Sequence, residues 1–173
     1  MKLYVAYGSN MDEAQMEVRC PDAKLFGKGW LPGYRLAFRG SLTGYYATIE
    51  NGESLRGGVP VLLWMISDAD ETRLDRYEGF PRFYRKEIIE VERVMERLPD
   101  TADRIDAWTP HGIRHGLVYI MTAGSPYGTP SKRYMNAIFR AYLKYGMDPG
   151  ALTDGVNYSY DRGRRQETCS KKE

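Results

Sequence analysis

The sequence has 173 residues, 42% of them hydrophobic and 28% charged, which is the size and composition of one globular domain and excludes wholesale disorder. Its 25 Lys and Arg nearly balance its 23 Asp and Glu, which argues against nucleic-acid binding, and no apolar run reaches the roughly 18 residues of a membrane helix. The chain begins without a signal-peptide pattern and has two widely separated cysteines, so we expect a reduced, cytoplasmic protein with no nucleic-acid or membrane partner.

The first half of the sequence predicts several strands and one short helix. Residues 3–7 form an apolar run, a Gly-Ser-Asn turn follows, and residues 12–19 have helical character. Short runs bounded by Gly and Pro indicate strands and turns over residues 24–50. The apolar run 59–66 predicts a buried strand with a proline near its beginning.

Two helices after residue 66 have clear boundary signals. Ser67 and Asp70 predict a capping box at the start of the first helix, and Gly79 predicts its end. The second helix is predicted over residues 131–145, where polar and apolar residues occupy opposite faces and Ser131 provides an N-cap.

The remaining elements complete the predicted domain. Residues 84–95 and 116–122 predict two more strands, separated by a loop or insertion over residues 97–112. Together these elements predict one α+β domain over residues 1–160, whose sheet can curl into a barrel. Residues 161–173 are polar and locally basic, and we expect them to form a mobile C-terminal tail.

The turn after the first strand, Tyr7-Gly8-Ser9-Asn10, is a candidate binding element. A Gly-containing turn before a helix exposes several backbone N–H groups in one place, and these can hold a carboxylate or a developing oxyanion without a charged side chain. The alternative is an ordinary turn in which Ser9 or Asn10 caps the following helix.

Glu78 is the candidate proton carrier. It closes a predicted helix just before Gly79, where the unpaired helix carbonyls disfavour a carboxylate, and burial among Tyr and Phe side chains would raise its pKa in the same direction. A carboxyl group with such a pKa can take up and return a proton near neutral pH. The alternative is a surface glutamate paired with Arg76 or Arg82.

Other chemistries lack a matching pattern. His111 and His115 are four residues apart, but neighbouring Pro and Gly argue against a helix there, and no third metal ligand is evident. Cys20 has no evident activating partner, and Ser9 lies outside a Gly-x-Ser-x-Gly elbow. No phosphate-binding Gly-rich signature is present. We therefore predict a site that uses one carboxyl group and needs no metal and no cofactor.

Several motifs, taken in order, resemble the gamma-glutamylcyclotransferase family. The family pattern has a Tyr-Gly-Ser-Asn loop, a Leu-Asp-x-x-Glu-Gly helix end, a Tyr at the start of a long strand, a Tyr-x-Met-Thr strand and a Pro-Ser-x-x-Tyr helix start. The matching positions, in the same order, are residues 7–10, 74–79, Tyr84, residues 119–122 and residues 130–134. Residues 97–115 and the tail after residue 160 fall outside this pattern, so they leave the substrate open.

This resemblance implies a small mixed β-barrel flanked by helices, with a cavity at the end of the first strand. It also implies that a γ-glutamyl amine or γ-glutamyl dipeptide is converted to 5-oxoproline, with release of the free amine or amino acid, and that Glu78 is the general acid/base. The substrate-binding residues that it implies are Tyr7, Gly8, Ser9, Asn10, Tyr84 and Tyr119, with Tyr134 as a further candidate for the pocket wall.

Two other interpretations of the sequence stay open at this point. One is a non-catalytic small-molecule-binding protein on the same scaffold, and the other is an amidohydrolase or amine transferase that uses water or a second amine in the same pocket. The presence of Glu78 favours catalysis over binding alone. The sequence leaves undecided which amine departs and whether the protein is a monomer or a homodimer.

Overall fold

Seven strands and four α-helices make up the described part of the chain, residues 1–41, 43–94 and 112–170 of a computed structural model. The strands are β1 (Lys2–Ala6), β2 (Lys24–Pro32), β3 (Tyr34–Ser41), β4 (Gly44–Asn51), β5 (Gly58–Ile66), β6 (Tyr84–Val94) and β7 (Ile113–Met121). The helices are α1 (Glu13–Arg19), α2 (Asp68–Tyr77), α3 (Lys132–Lys144) and α4 (Gly150–Ser170), and a 3₁₀ turn covers Ser9–Met11.

Five of the strands close a barrel in the order β1-β5-β2-β6-β7. Neighbouring strands are antiparallel except β1 and β7, which run parallel where Tyr4 lies beside Leu117. The remaining strands, β3 and β4, form a separate antiparallel hairpin. The prediction of an α+β fold with a small mixed barrel flanked by helices is confirmed.

The barrel core depends on β5, which is buried along nearly its whole length. Val61, Leu62 and Leu63 are 0% exposed, so neighbouring residues are buried although their side chains point to opposite faces. Removing each such side chain from water contributes on the order of 2 kcal/mol to folding. The predicted buried strand is confirmed, and its proline, Pro60, lies opposite Trp30 of β2.

Local sequence signals explain where α2 begins and ends. Ser67 accepts a hydrogen bond from the Asp70 N–H while the Asp70 carboxylate accepts one from the Ser67 N–H, which is the predicted capping box. Gly79 has a φ of 65°, a left-handed conformation that glycine adopts without steric cost, and it ends the helix. As a result Glu78 is the C-cap residue of α2, and its N–H donates a hydrogen bond to the Leu74 carbonyl.

The C-terminal region corrects the sequence analysis. No helix was predicted after residue 145, yet α4 runs through residue 160 to Ser170, so the segment expected to form a mobile tail is helical over residues 161–170. The helix packs against β3, where the Phe38 N–H donates a 2.7 Å hydrogen bond to Ser159 Oγ. The predicted loop at 97–112 falls almost entirely outside the described residues.

Every helix within residues 1–41, 43–94 and 112–170 is too short or too polar to span a lipid bilayer.

Candidate active site

A cavity of about 290 Å³ opens beside the end of β1. Half of the residues around it are tyrosines, and Glu78 is the one carboxylate residue among the described residues of its wall. The lining residues are Tyr4, Tyr7, Gly8, Ser9, Asn10, Thr43, Tyr46, Ala47, Tyr77, Glu78, Phe83, Tyr84, Tyr119 and Tyr134. All seven site residues predicted from the sequence therefore face one cavity.

Glu78 is held at this cavity by the end of α2. The residue keeps some exposed surface, but protein atoms almost surround its carboxyl group, and Asn10 Nδ2 donates a 2.8 Å hydrogen bond to its Oε1. Burial raises the pKa of Glu78 from 4.5 to about 7, and the Asn10 hydrogen bond and the Arg19 charge oppose that rise. The alternative of a surface glutamate paired with Arg76 or Arg82 does not fit this position.

The turn at residues 8–10 is shaped by close packing. Gly8 has a φ of −111°, outside the left-handed region, so the backbone angle does not explain the glycine. A Cβ at this position would lie 3.1 Å from Tyr134 Oη and 3.3 Å from Ala47 Cβ, so the absence of a side chain is what lets the turn approach these groups. Gly8 thus keeps the floor of the cavity open.

The helix after the turn is capped by a residue that sequence analysis did not select. Asp12 accepts a hydrogen bond from the Gln15 N–H at 3.1 Å and is the N-cap of α1. Ser9 and Asn10 instead lie in the 3₁₀ turn and are buried, so the interpretation of either residue as the cap of this helix is wrong. Their side chains are available for other contacts.

Asn10 connects several parts of the site through its side-chain amide. Its Nδ2 donates to both Glu78 Oε1 at 2.8 Å and Tyr4 Oη at 2.7 Å, while its Oδ1 accepts from Arg19 Nη1. Sequence analysis selected Asn10 as part of a backbone loop. The structure adds a side-chain contact to Glu78, which no local sequence pattern indicates.

Three tyrosine hydroxyls donate to protein oxygens. Tyr7 donates to the Tyr119 carbonyl, and Tyr84 Oη donates to the Ala47 carbonyl at 2.8 Å. Tyr119 Oη donates to Asp75 Oδ1 at 2.6 Å. These bonds orient the rings of the cavity wall, and they restrict these hydroxyls to accepting hydrogen bonds from a ligand.

The hydroxyls of two other tyrosines accept hydrogen bonds from the protein. Tyr134 Oη accepts a 3.1 Å hydrogen bond from the Ala47 N–H, and Tyr4 Oη accepts one from Asn10. A hydroxyl that accepts in this way still has its own proton to donate. Burial raises the pKa of both hydroxyls above the ordinary value, so both stay protonated near neutral pH. The cavity wall thus combines hydrogen-bond donors and acceptors without adding a charge.

The structure adds wall residues that sequence analysis did not select. Tyr4, Tyr46, Tyr77 and Phe83 line the cavity, and Tyr46 makes edge-to-face contacts with Phe83 and Tyr134 at ring-centroid distances of 6.1 and 5.5 Å. The period-two pattern of a strand could identify Tyr4 as inward-facing. Only the spatial arrangement of β4, the end of α2 and the segment before β6 brings the others to the site.

The groups considered for other chemistry lie elsewhere. His115 is an exposed residue of β7, 3.5 Å from Glu90, and His111 falls outside the described residues. No group of three or more His, Cys, Asp or Glu side chains suited to a metal ion occurs within residues 1–41, 43–94 and 112–170. Burial raises the pKa of the Cys20 thiol to about 12, so this thiol stays protonated near neutral pH.

A carboxyl group whose pKa lies near neutrality, inside a small cavity walled by tyrosines, is the arrangement expected of an enzyme that moves a proton on a small molecule. Comparison with known families agrees with this class. The chain belongs to the family described as "Gamma-glutamyl cyclotransferase, AIG2-like", whose model matches residues 4–133. The resemblance inferred from the motifs is thereby confirmed.

Solved structures with the same fold include a gamma-glutamyl cyclotransferase, with 22% identity and a TM-score of 0.69 over 88% of this chain and 85% of that chain. A human protein described as uncharacterized has 23% identity and a TM-score of 0.70 over the same shares of the two chains. A glutathione-specific gamma-glutamyl cyclotransferase from yeast has 13% identity and a TM-score of 0.55 over 91% of this chain and 98% of that chain. Its selenomethionine form has 10% identity and a TM-score of 0.52 over 92% of this chain and 98% of that chain. A search of curated protein sequences found no match.

Proposed function

We propose that this protein cyclises a γ-glutamyl amine or γ-glutamyl dipeptide to 5-oxoproline and releases the free amine or amino acid, with Glu78 as the general acid/base. The observation that carries the proposal is the position of Glu78 inside the cavity with a pKa of about 7. Family membership supports cyclotransferase chemistry of this type.

The reaction needs little more than a proton carrier and a folded substrate. The α-amine of the substrate attacks its own γ-amide carbonyl, so the nucleophile and the electrophile already belong to one molecule. A cavity that bends the γ-glutamyl chain into a five-membered ring geometry supplies the entropic part of catalysis. The cavity of about 290 Å³ has room for a compact substrate of this kind.

Glu78 serves both halves of the reaction. Its carboxylate takes a proton from the α-ammonium, and the amine nitrogen then forms a bond to the carbonyl carbon of the γ-amide, which gives a tetrahedral adduct. The same proton is returned to the departing nitrogen as its bond to that carbon breaks, because a free amide anion is a very poor leaving group. Glu78 ends the cycle as a carboxylate, ready for the next substrate.

The turn at Gly8 and Ser9 is assigned to the negative charge of the substrate. Backbone N–H groups in a tight turn beside the cavity can hold the substrate carboxylate or the carbonyl oxygen as it gains charge. The O–H groups of Tyr4 and Tyr134 are further donors, whereas Tyr7, Tyr84 and Tyr119 orient the wall. This division of roles follows from the hydrogen bonds that each hydroxyl already makes.

The test is a panel of γ-glutamyl amines and γ-glutamyl dipeptides incubated with the protein, followed by mass detection of products. We expect 5-oxoproline and the free amine in equal amounts from at least one member of the panel. Free glutamate would instead indicate hydrolysis, and a new γ-glutamyl conjugate would indicate transfer to a second amine. Saturable binding without any product would assign the pocket to a binding protein.

The same assay tests independence from metals. The proposed steps need only a carboxyl group and hydrogen-bond donors, so we expect equal rates with and without EDTA. Loss of product with EDTA and its recovery on addition of a divalent ion would contradict this part of the proposal.

A further inference from the structure

One arginine, Arg19, ties together the two segments that meet at the cavity. Its Nη1 donates to Ser9 Oγ at 3.2 Å and to Asn10 Oδ1, so it holds the turn after β1. Its guanidinium carbon lies 3.8 Å from the centre of the Tyr77 ring, next to Glu78 at the end of α2. Arg19 is not one of the described residues that line the cavity.

The contact with Arg19 decides which way the Asn10 amide points. A guanidinium group has only donors, so the Asn10 atom that faces it must be the acceptor, Oδ1. The amino group is then turned toward Glu78 Oε1 and Tyr4 Oη and gives one hydrogen to each. Without Arg19, the amide loses the group that fixes this orientation.

The orientation of Asn10 also distinguishes the two oxygens of Glu78. Oε1 accepts a hydrogen bond from Asn10 Nδ2, which competes with a proton at that atom. The proton taken from the substrate amine therefore belongs on Oε2, and it leaves from Oε2 to the departing nitrogen. Glu78 gains and loses the same proton within one turnover. The second proton that the ring nitrogen loses passes to the released amine, so electrons and protons balance.

We propose that Arg19 is a positioning residue, which acts through Asn10 to orient the Glu78 carboxyl group and to leave Oε2 as the proton-carrying oxygen. This inference rests on the proposed role of Glu78 as general acid/base. It goes beyond that role, because it assigns a function to a side chain that contacts neither the substrate cavity nor the reacting atoms.

Arg19 is also the charged side chain that acts on the titration of Glu78. Burial is the largest influence on the Glu78 pKa and raises it, while the Asn10 hydrogen bond and the Arg19 charge lower it. The ionisable groups whose own titration feels Glu78 include Tyr4, Tyr7, Tyr84, Tyr119, Tyr134 and Cys20. Burial raises the pKa of each of these groups, so they stay neutral near pH 7 and leave the positive charge of Arg19 uncompensated by them.

The experiment compares Arg19→Met with Arg19→Lys, and uses Arg164→Met on α4 as the matched control that removes an equal charge outside the cavity. In Arg19→Met we expect kcat at pH 7 to fall by about 10²-fold, since small displacements of a catalytic group cost this much, while KM changes far less. The pH midpoint of kcat/KM should move to higher pH. Arg19→Lys should recover part of kcat and part of the midpoint, because it restores the charge and a donor.

A second measurement does not depend on turnover. The side-chain carboxyl signals of ¹³C-labelled glutamate follow the titration of Glu78, which is assigned by its absence in Glu78→Gln. We expect the Glu78 midpoint to lie at higher pH in Arg19→Met than in the wild type and the Arg164→Met control. If the wild type makes no 5-oxoproline, the proposed function fails, but this titration still decides whether Arg19 acts on Glu78.

Two results would overturn the inference. One is an unchanged Glu78 midpoint in folded Arg19→Met. The other is a loss of activity that follows only the loss of folded protein, with the midpoint at its wild-type value in both Arg19 variants. Either result would mean that Arg19 supports the fold without positioning the carboxyl group.

Discussion

Two glutamates in this molecule, Glu50 and Glu78, are each surrounded by tyrosines, and the partners of the two carboxylates differ. We call the surroundings of Glu50 the α4 cluster and those of Glu78 the pocket cluster. In the α4 cluster, Glu50 Oε1 accepts from Tyr127 Oη at 2.7 Å and lies 3.5 Å from Arg39 Nη1, and Glu50 Oε2 accepts from Tyr158 Oη at 3.2 Å. In the pocket cluster, Glu78 accepts a hydrogen bond from the neutral amide of Asn10 and faces a cavity. The same residue types therefore form a stabilising cluster in one place and a candidate active site in the other.

The two environments show which surroundings suit a carboxyl group to proton transfer. A direct cation and two hydroxyl donors occupy both oxygens of Glu50. The cation beside Glu78, Arg19, is linked to it by hydrogen bonds through Asn10 and otherwise acts on it through its charge. Burial then dominates and brings the pKa of Glu78 to about 7, where the group can change its protonation state during a reaction.

The largest expected effect comes from exchanging each glutamate for glutamine. Glu78→Gln keeps the shape of the side chain and an acceptor for Asn10 but removes the proton carrier, so we expect turnover to fall by at least about 10²–10⁴-fold. Glu50→Gln, the matched control, should keep the wild-type kcat and lower the free energy of unfolding instead. Product formation measured by mass detection and unfolding measured in urea separate the two outcomes. Full turnover by Glu78→Gln would end the proposed role of this residue.

A smaller effect on activity is expected from the floor of the cavity. In Gly8→Val the new side chain would press against Tyr134 Oη and Ala47 Cβ, which lie 3.1 and 3.3 Å from the Cβ position, so we expect kcat/KM to fall by about 10–100-fold. Gly8→Ala adds only the Cβ and should lose less. Steady-state kinetics on both variants test this order, and wild-type kinetics in Gly8→Val would show that the turn has no close role in catalysis.

The pH dependence of stability tests the raised pKa of Glu78 without any assay of activity. The folded protein holds the Glu78 proton up to a pKa of about 7, and the unfolded chain releases it near 4.5, so the folded state binds more protons between these values. The contribution of Glu78 to the free energy of unfolding therefore falls as the pH rises through this interval, by at most about 3 kcal/mol.

Glutamine does not titrate, so Glu78→Gln should gain stability relative to the wild type as the pH rises from 5 to 8. Urea unfolding of both proteins across this range measures the change, and effects of other titrating groups cancel in the difference. A difference that stays constant with pH would contradict a raised pKa at this position.

The smallest effect is expected in the α4 cluster. Tyr127→Phe removes one hydroxyl donor from Glu50 and should lower the free energy of unfolding by about 1 kcal/mol. Turnover should not change, because Tyr127 does not line the cavity. Reduced kcat in a fully folded Tyr127→Phe protein would show that the two clusters are coupled.

Local signals in the sequence were sufficient to place Glu78. The capping box at Ser67 and Asp70 and the left-handed Gly79 fix both ends of α2, and Glu78 follows from them as the residue at the helix end. The apolar run of β5 likewise predicts a buried strand. Each of these signals acts within a few residues of the element that it defines, so it can be read without knowing the fold.

The glycines within α4 explain why the sequence does not predict this helix. Gly155 and Gly163 lower the intrinsic preference of this segment for a helix. In the structure, a Cβ on Gly155 would lie 3.1 Å from the Leu36 carbonyl oxygen, and one on Gly163 would lie 2.9 Å from the Tyr127 carbonyl oxygen. Gly155 therefore lets the helix approach β3, and Gly163 lets it approach the segment at Tyr127. These tertiary contacts outweigh the local preference.

The connection from Arg19 to Glu78 could not be predicted, because its members are far apart in the sequence. Arg19 lies ten residues after Ser9 of the turn that it contacts, whereas Asn10 and Glu78 are 68 residues apart in the sequence. The end of α2 comes to the end of β1 because β1 pairs with β5, the strand that precedes α2. A side chain that acts through another residue leaves no short motif.

The position of β1 in the barrel has a consequence for the order in which the protein can assemble. The first strand lies between β5 and β7, so both of its neighbours belong to later parts of the chain. During synthesis on the ribosome, the segment with residues 8–10 emerges early, yet its supporting strand is enclosed only after β7 has emerged. A nascent chain that stops before residue 113 would already contain Glu78 and the turn, but it would lack β7, the strand that closes the barrel.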